Sequence, residues 1–77
     1  IKAEAYRRLG EFSEAEKLLK EIDTEEGQKV LIFDKTPFYP EMGGQNGDAG
    51  VIELDDGRRL EIVNVQKVAG VILHFVG

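Results

Sequence analysis

Between Asp34 and Gly50 the chain reads DKTPFYPEMGGQNGDAG, a stretch in which most residue types can serve recognition. Gly43, Gly44, Gly47 and Gly50 permit positive φ and close approach by a second backbone, while Pro37 and Pro40 fix φ around the Phe38-Tyr39 pair. A stiff aromatic step therefore leads into a permissive one, which can present backbone amides and the Gln45 side chain to a partner. Glu41 and Asp48 stand seven positions apart. Without a nucleophile, a metal or a perturbing charge they read as acceptors for loop amides rather than as a general acid–base pair. The glycines match neither G-x-G-x-x-G nor a G-K-[ST] ending, so no nucleotide-phosphate cradle is expected. No residue is assigned a catalytic role, and no metal site is expected.

The composition narrows the setting. The 77 residues suffice for one modest core, since small domains bury a smaller share of their unfolded surface. Zero cysteines exclude disulfides and thiolate metal sites, and one histidine, His74, cannot make a His-rich cluster. The absence of cysteine is compatible with the cytoplasm. The longest apolar runs, 30–33 and 71–73, fall far short of the ~20 residues that span a bilayer. A net charge of −5 disfavours tight autonomous binding to a polyanion, so any contact with nucleic acid is expected to be weak or part of a larger surface. The first residue is Ile1 and no signal peptide is recognisable; the chain reads as a piece of a longer protein.

The elements that must position the loop divide near Gly27. Before it, Ala15, Leu18, Leu19 and Ile22 follow the i, i+3, i+4, i+7 spacing of an amphipathic helix. Ser13 and Glu16 form a capping box at its start. Upstream, Ile1, Ala5 and Leu9 share a helical face, with Gly10 as a left-handed cap, which predicts a short helix over residues 2–9. Beyond Gly27, KVLIF, GVIEL, RRLEIVNVQKV and GVILHFV read as strands, and an additional short strand is expected at Phe38-Tyr39. Asp55-Asp56-Gly57 predicts a hairpin that makes 51–54 and 58–66 antiparallel neighbours. The switch of apolar parity near Ile62 calls for a bulge or for burial on both faces. The expected fold class is α+β: a helical segment over 1–26, then a small antiparallel β-barrel over 27–77 that carries the glycine-rich loop 36–50.

The tripeptide Gly43-Gly44-Gln45 also occurs in class-one peptide release factors, but its surroundings do not resemble that family. The longer string is more specific. Asp34, Thr36, Phe38, Tyr39, Glu41, Gly43, Gly44, Gln45, Asp48 and Gly50, followed by Val65, Gln66, Lys67, Gly70 and His74, resemble the β-barrel segment of alanyl-tRNA synthetases and related stand-alone alanyl-tRNA editing proteins. There the two patterns read approximately D-x-T-x-F-Y-x-E-x-G-G-Q-x-x-D-x-G and V-Q-K-x-x-G-x-x-x-H. The likeness runs from about Gln28 to Val76. Met42 departs from it, standing where a small residue is expected.

The resemblance implies a translation-factor-like barrel beside a zinc-dependent editing domain that hydrolyses mischarged tRNA(Ala), in a parent with alanine–tRNA ligase activity. Gly43, Gly44 and Gln45 would then bound the editing pocket, with Phe38 and Tyr39 holding the loop to the barrel. ATP, magnesium and zinc would belong to the parent and no cofactor to this chain, which alone is expected to be inactive. The implied partners are tRNA(Ala) and the adjoining aminoacylation and editing domains, in a cytoplasmic setting. Arg58, Arg59 and Lys67 are the candidates for phosphate contacts, whereas Lys29 and Lys35 read as solvated. His74 on its apolar strand reads as a packed or hydrogen-bonded residue, with a functional role as the alternative. Two other functional readings stay open: an independent helix-plus-barrel interaction module, and part of a stand-alone editing hydrolase.

Overall fold

A computed structural model describes residues 2–7 and 12–77, the side chains of residues 2, 7 and 12–16 excepted. Six strands make up the described chain: β1 (Lys2–Arg7), β2 (Phe12–Asp23), β3 (Lys29–Phe33), β4 (Gly50–Leu54), β5 (Arg59–Val68) and β6 (Val71–Val76). They close into a barrel in the order β1-β2-β3-β6-β5-β4, and every neighbouring pair, including β1 with β4, is antiparallel.

The α+β expectation is overturned, because no helix occurs among the described residues. Residues 2–7 and 12–23, expected as two helices, are β1 and β2, so the capping box at Ser13 and Glu16 has no helix to start. The expected cap Gly10, with Ile1 and Leu9, lies outside the described residues. Sheet closure supplies the physical reason. Without β1 the backbone of β4 would be left unpaired on one edge, and without β2 that of β3. Pairing those edges outweighs a helix propensity worth only tenths of a kcal/mol per residue.

The helix-spaced apolar residues accordingly do not form one buried face. A register shift between Leu18 and Lys20 inserts Leu19 as an extra residue; Leu18 packs against the core while Leu19 and Ile22 are exposed. On β1 and β4 buried and more exposed residues alternate, whereas β3 buries the adjacent Val30 and Leu31. Leu31, Phe33, Ile52, Leu54, Ile62 and Val65 fill the interior with Ala3 and Ala5 of β1. The expected hairpin between β4 and β5 is present, and the parity switch is a bulge: the register shifts between Ile62 and Asn64, leaving Val63 exposed.

The order of strands sets the course of the functional loop. β3 and β4 are consecutive in sequence but separated in the barrel by β6 and β5. The connection, residues 34–49, passes both and bonds to each on the way.

Candidate functional site

The loop is anchored first by a buried polar chain. His74 on β6 is fully buried. Its Nδ1 lies 3.0 Å from the Leu31 carbonyl oxygen, which can only accept, so Nδ1 carries the ring proton. Burial lowers the pKa of the ring from its usual value, only partly offset by the bond to Leu31, which favours the neutral form. Nε2 is thus an acceptor, and the Thr36 hydroxyl, 2.7 Å away, donates to it. The same hydroxyl oxygen accepts the Phe38 amide at 3.1 Å, the local turn that Thr two residues before its donor is built to make.

Phe38 is the second anchor. It lies outside any strand yet is only 2% exposed and belongs to the core. Ala3 and Ala5 of β1 belong to the same cluster. Phe33 and Phe38 both meet the His74 ring edge to face, at centroid separations of 5.0 and 5.7 Å, the arrangement that ring quadrupoles favour. No strand forms at Phe38-Tyr39 as expected; isolated bridges follow instead at Glu41 with Gln66 and at Met42 with Gln45.

The third anchor lies along β5. The Glu41 amide donates to the Val65 carbonyl at 2.7 Å, and the Asn64 side-chain amide donates to the Glu41 carboxylate at 3.2 Å. Gly47 packs so closely on this strand that an added Cβ would lie 2.5 Å from Asn64 Oδ1. Asp48 accepts from the amides of Tyr39 at 3.4 Å and Ala49 at 3.2 Å, and its own amide donates to the Tyr39 carbonyl at 2.9 Å. Between these ties Met42, Gly43, Gly44 and Gln45 form a tight turn closed by the Gln45 amide on the Met42 carbonyl at 2.9 Å. Its two central residues have φ of 54° and 82°, the type I′ pattern that glycine accommodates.

What remains at the surface is a shallow groove of about 340 Å³ to which Tyr39, Met42, Gln45 and Asn46 contribute. Tyr39 is 69% and Met42 63% exposed. Of the sequence-derived residues, then, Phe38 is core, Glu41 and Asp48 are ties, and Tyr39, Gln45 and the Gly43-Gly44 turn face outward. Met42, the departure from the family pattern, stands on that outward face. Thr36 and Asn64 do as much positioning as any of them, and neither was singled out for it; the Thr-Pro-Phe spacing was the available signal for Thr36, while Gly47 makes the close backbone approach expected of the loop's glycines.

The basic candidates part company. Arg58, in the β4–β5 turn, is held by Glu21 of β2 at 2.9 Å and by Asp56 at 2.9 Å. Lys29 also bonds Glu21; this bond, then the one from Arg58, holds the Glu21 carboxyl below its ordinary range. Arg59 is 69% exposed with Glu53 at 3.3 Å, and Lys67 is exposed on β5. The ion pair of Arg59 is with a different carboxylate from those that hold Arg58. Among the described residues no group of three or more His, Asp or Glu side chains could hold a metal ion, and both ring nitrogens of His74 are engaged, so zinc and magnesium do not fit here. No helix of the described residues is long and apolar enough to cross a membrane.

The loop is thus tied at both ends over a closed barrel. The family model for tRNA synthetases of class II (A) matches residues 2–77, and the chain belongs to that family. Within it the relatives are alanine–tRNA ligases: the chain is 58% identical over 45 residues to that of Nocardioides sp., covering 57% of this chain and 5% of that protein. It is 52% identical over 46 residues to that of Metallosphaera sedula, with 60% and 5% covered, and 55% identical over 53 residues to that of Streptococcus agalactiae, with 66% and 6% covered. The resemblance to alanyl-tRNA synthetases carried by residues 34–50 and 65–74 is thereby shown, and the chain spans only 5% to 6% of the length of these relatives. No solved structure matches it.

Proposed function

We propose that this chain is the barrel of an alanine–tRNA ligase and that its loop 36–50 forms one wall of the place where the aminoacylated end of tRNA(Ala) is handled, for aminoacylation or for editing of mischarged tRNA. The supporting observation is the division of labour within the loop. Its polar and aromatic ties point at the barrel, while Tyr39, Gln45 and Asn46 are offered to solvent over one groove. An aromatic face and two neutral amides suit a ribose, a base edge or an ester better than a phosphate, which wants cations. Phosphate contacts fall instead to Arg59 and Lys67, as part of a larger surface. ATP, magnesium, zinc, the adjoining aminoacylation and editing domains and a cytoplasmic setting are expectations for the parent, and the chain alone is expected to turn nothing over.

The test is hydrolysis of Ser-tRNA(Ala) and alanylation of tRNA(Ala) by the full-length parent, comparing Gly43→Ala/Gly44→Ala with the unaltered protein. An added Cβ meets nothing within 4 Å at either position, so these changes alter the turn by backbone strain rather than by collision. Loss of either activity with the fold retained supports the reading. Undiminished rates for both reactions sink it.

A further inference from the structure

The loop's attachment to His74 has a consequence beyond mounting. The polar chain runs in one direction only: Phe38 N–H to Thr36 Oγ1, Thr36 O–H to His74 Nε2, His74 Nδ1–H to the Leu31 carbonyl. Each proton has one assignment, dictated by the carbonyl at the end. The direction survives only while the ring is neutral. A proton gained at Nε2 turns that acceptor into a donor, and the Thr36 hydroxyl must turn its own hydrogen away from the ring.

We propose that His74 is a positioning residue for the 36–50 loop: as a neutral, Nδ1-protonated ring it aims the Thr36 hydroxyl and through it the start of the loop, and protonation at Nε2 unlatches Thr36 while the barrel stays folded. The proposal rests on the reading of the loop as a tRNA-handling wall. Leu31 sits in β3, paired on both sides with β2 and β6, whereas Thr36 lies outside every strand, so the Thr36 side is the one free to yield. The surroundings offer the charged ring nothing. β3 presents Leu31 and Phe33, β5 places Val65 opposite it, and the loop supplies Thr36 and Phe38; Asp34 and Lys35 are exposed. Neither a carboxylate nor a cation contributes to the ring's titration, which is shifted down by burial.

Four substitutions in the full-length parent separate aim from simple packing. His74→Asn keeps a donor for Leu31 but has no acceptor at the Nε2 position; His74→Gln brings an amide oxygen towards that position and cannot titrate. Thr36→Val removes the hydroxyl at constant shape, and Thr36→Ser keeps it. Deacylation of Ser-tRNA(Ala) is followed from about pH 5 to about pH 8, the range in which histidine changes charge. Expected for Asn and Val is a fall in kcat of about tenfold or more, the scale of a misplaced positioning group, with Gln and Ser recovering most of it. In the unaltered protein turnover falls as pH drops through the lowered value of the ring, and His74→Gln flattens that limb.

Equal behaviour of Asn and Gln across the pH range, in folded proteins, overturns the proposal. Should His74→Asn fail to fold, Val against Ser at position 36 decides by the same comparison. Tyr39→Ala and Gln45→Ala report on the wall itself. If they lower turnover and the His74 and Thr36 changes do not, the latch is wrong and the wall stands; if none of them has an effect, the functional reading falls first and the latch with it.

Discussion

Replacing Gly47 by alanine sets the packing of the loop against the freedom of its turn. The new Cβ would lie 2.5 Å from Asn64 Oδ1 and 3.0 Å from the Val65 amide nitrogen, and closer still to the Val65 carbonyl oxygen. Two of these atoms belong to a paired strand and cannot step aside, so the loop has to lift by about 1 Å to reach ordinary contact. The Val65 carbonyl also accepts the Glu41 amide at 2.7 Å, and lifting the loop stretches that bond. Overpacking of this kind costs about 1–3 kcal/mol and a weakened hydrogen bond about 0.5–1.5 kcal/mol, a combined loss of about 1.5–4.5 kcal/mol. A chain of this length has roughly 4–12 kcal/mol of stability in total, so the loss is a large share of it. Gly44→Ala meets nothing within 4 Å and suffers only from φ of +82°, a strain of about 1–2 kcal/mol. Urea unfolding of the two variants, with hydrogen exchange at the Glu41 amide, makes the comparison. If Gly44→Ala costs as much as Gly47→Ala, or the Glu41 amide stays protected in the latter, the packing argument is refuted.

Burial holds the His74 ring below its usual 6.5, so the unfolded chain binds that proton more readily. The resulting stability is complete above about pH 6.5 and is lost as pH falls from there through the lowered folded value; urea midpoints against pH should show it, and His74→Gln should remove it. Ala69, at φ of 51° in the β5–β6 turn, is strained where glycine is not, and Ala69→Gly should raise stability by about 0.5–1 kcal/mol in the same assay after the entropy cost of glycine. In the full-length parent, Arg59→Ala and Lys67→Ala should each weaken tRNA binding and lower its salt dependence. Arg58→Ala should change it less, because Glu21 and Asp56 already occupy that guanidinium; a larger effect at Arg58 would reverse the assignment.

The strands after Gly27 were legible because short apolar runs rich in β-formers stand between turn signals, and even the bulge at Val63 showed as a parity switch. β1 and β2 were not. Their sequence carries helix-spaced Ala15, Leu18, Leu19 and Ile22 and a capping box, all local signals, whereas what makes them strands is the unpaired edge of β3 and of β4, which is non-local. The site divided in the same way. The loop stood out by its glycines and aromatics, yet the residues that mount it, Thr36, Asn64 and His74, are ordinary types whose partners lie up to 43 positions away in sequence. Spacing along the chain has no means of expressing a contact created by a connection that passes two strands.

That course also separates two jobs within the mount. Phe38 supplies attachment: it is among the largest fully buried side chains although it comes from a loop, and it belongs to the same core cluster as Ala3 and Ala5. Thr36 supplies aim, through bonds that carry direction but little buried area. Phe38→Ala should therefore cost about 3–5 kcal/mol, enough to take much of the barrel's stability with it, and Phe38→Leu should recover the greater part. Thr36→Ser should leave unfolding midpoints close to those of the unaltered chain. The pairing of measurements matters more than either alone. A loop held by its ring and aimed by its hydroxyl should lose cooperativity of unfolding with Phe38→Ala, and lose protection of the Phe38 amide with Thr36→Val while unfolding remains cooperative. Were Phe38→Ala to unfold with an unchanged midpoint, the loop would not be part of the core, and the argument that the barrel and its recognition surface share one set of contacts would fail with it.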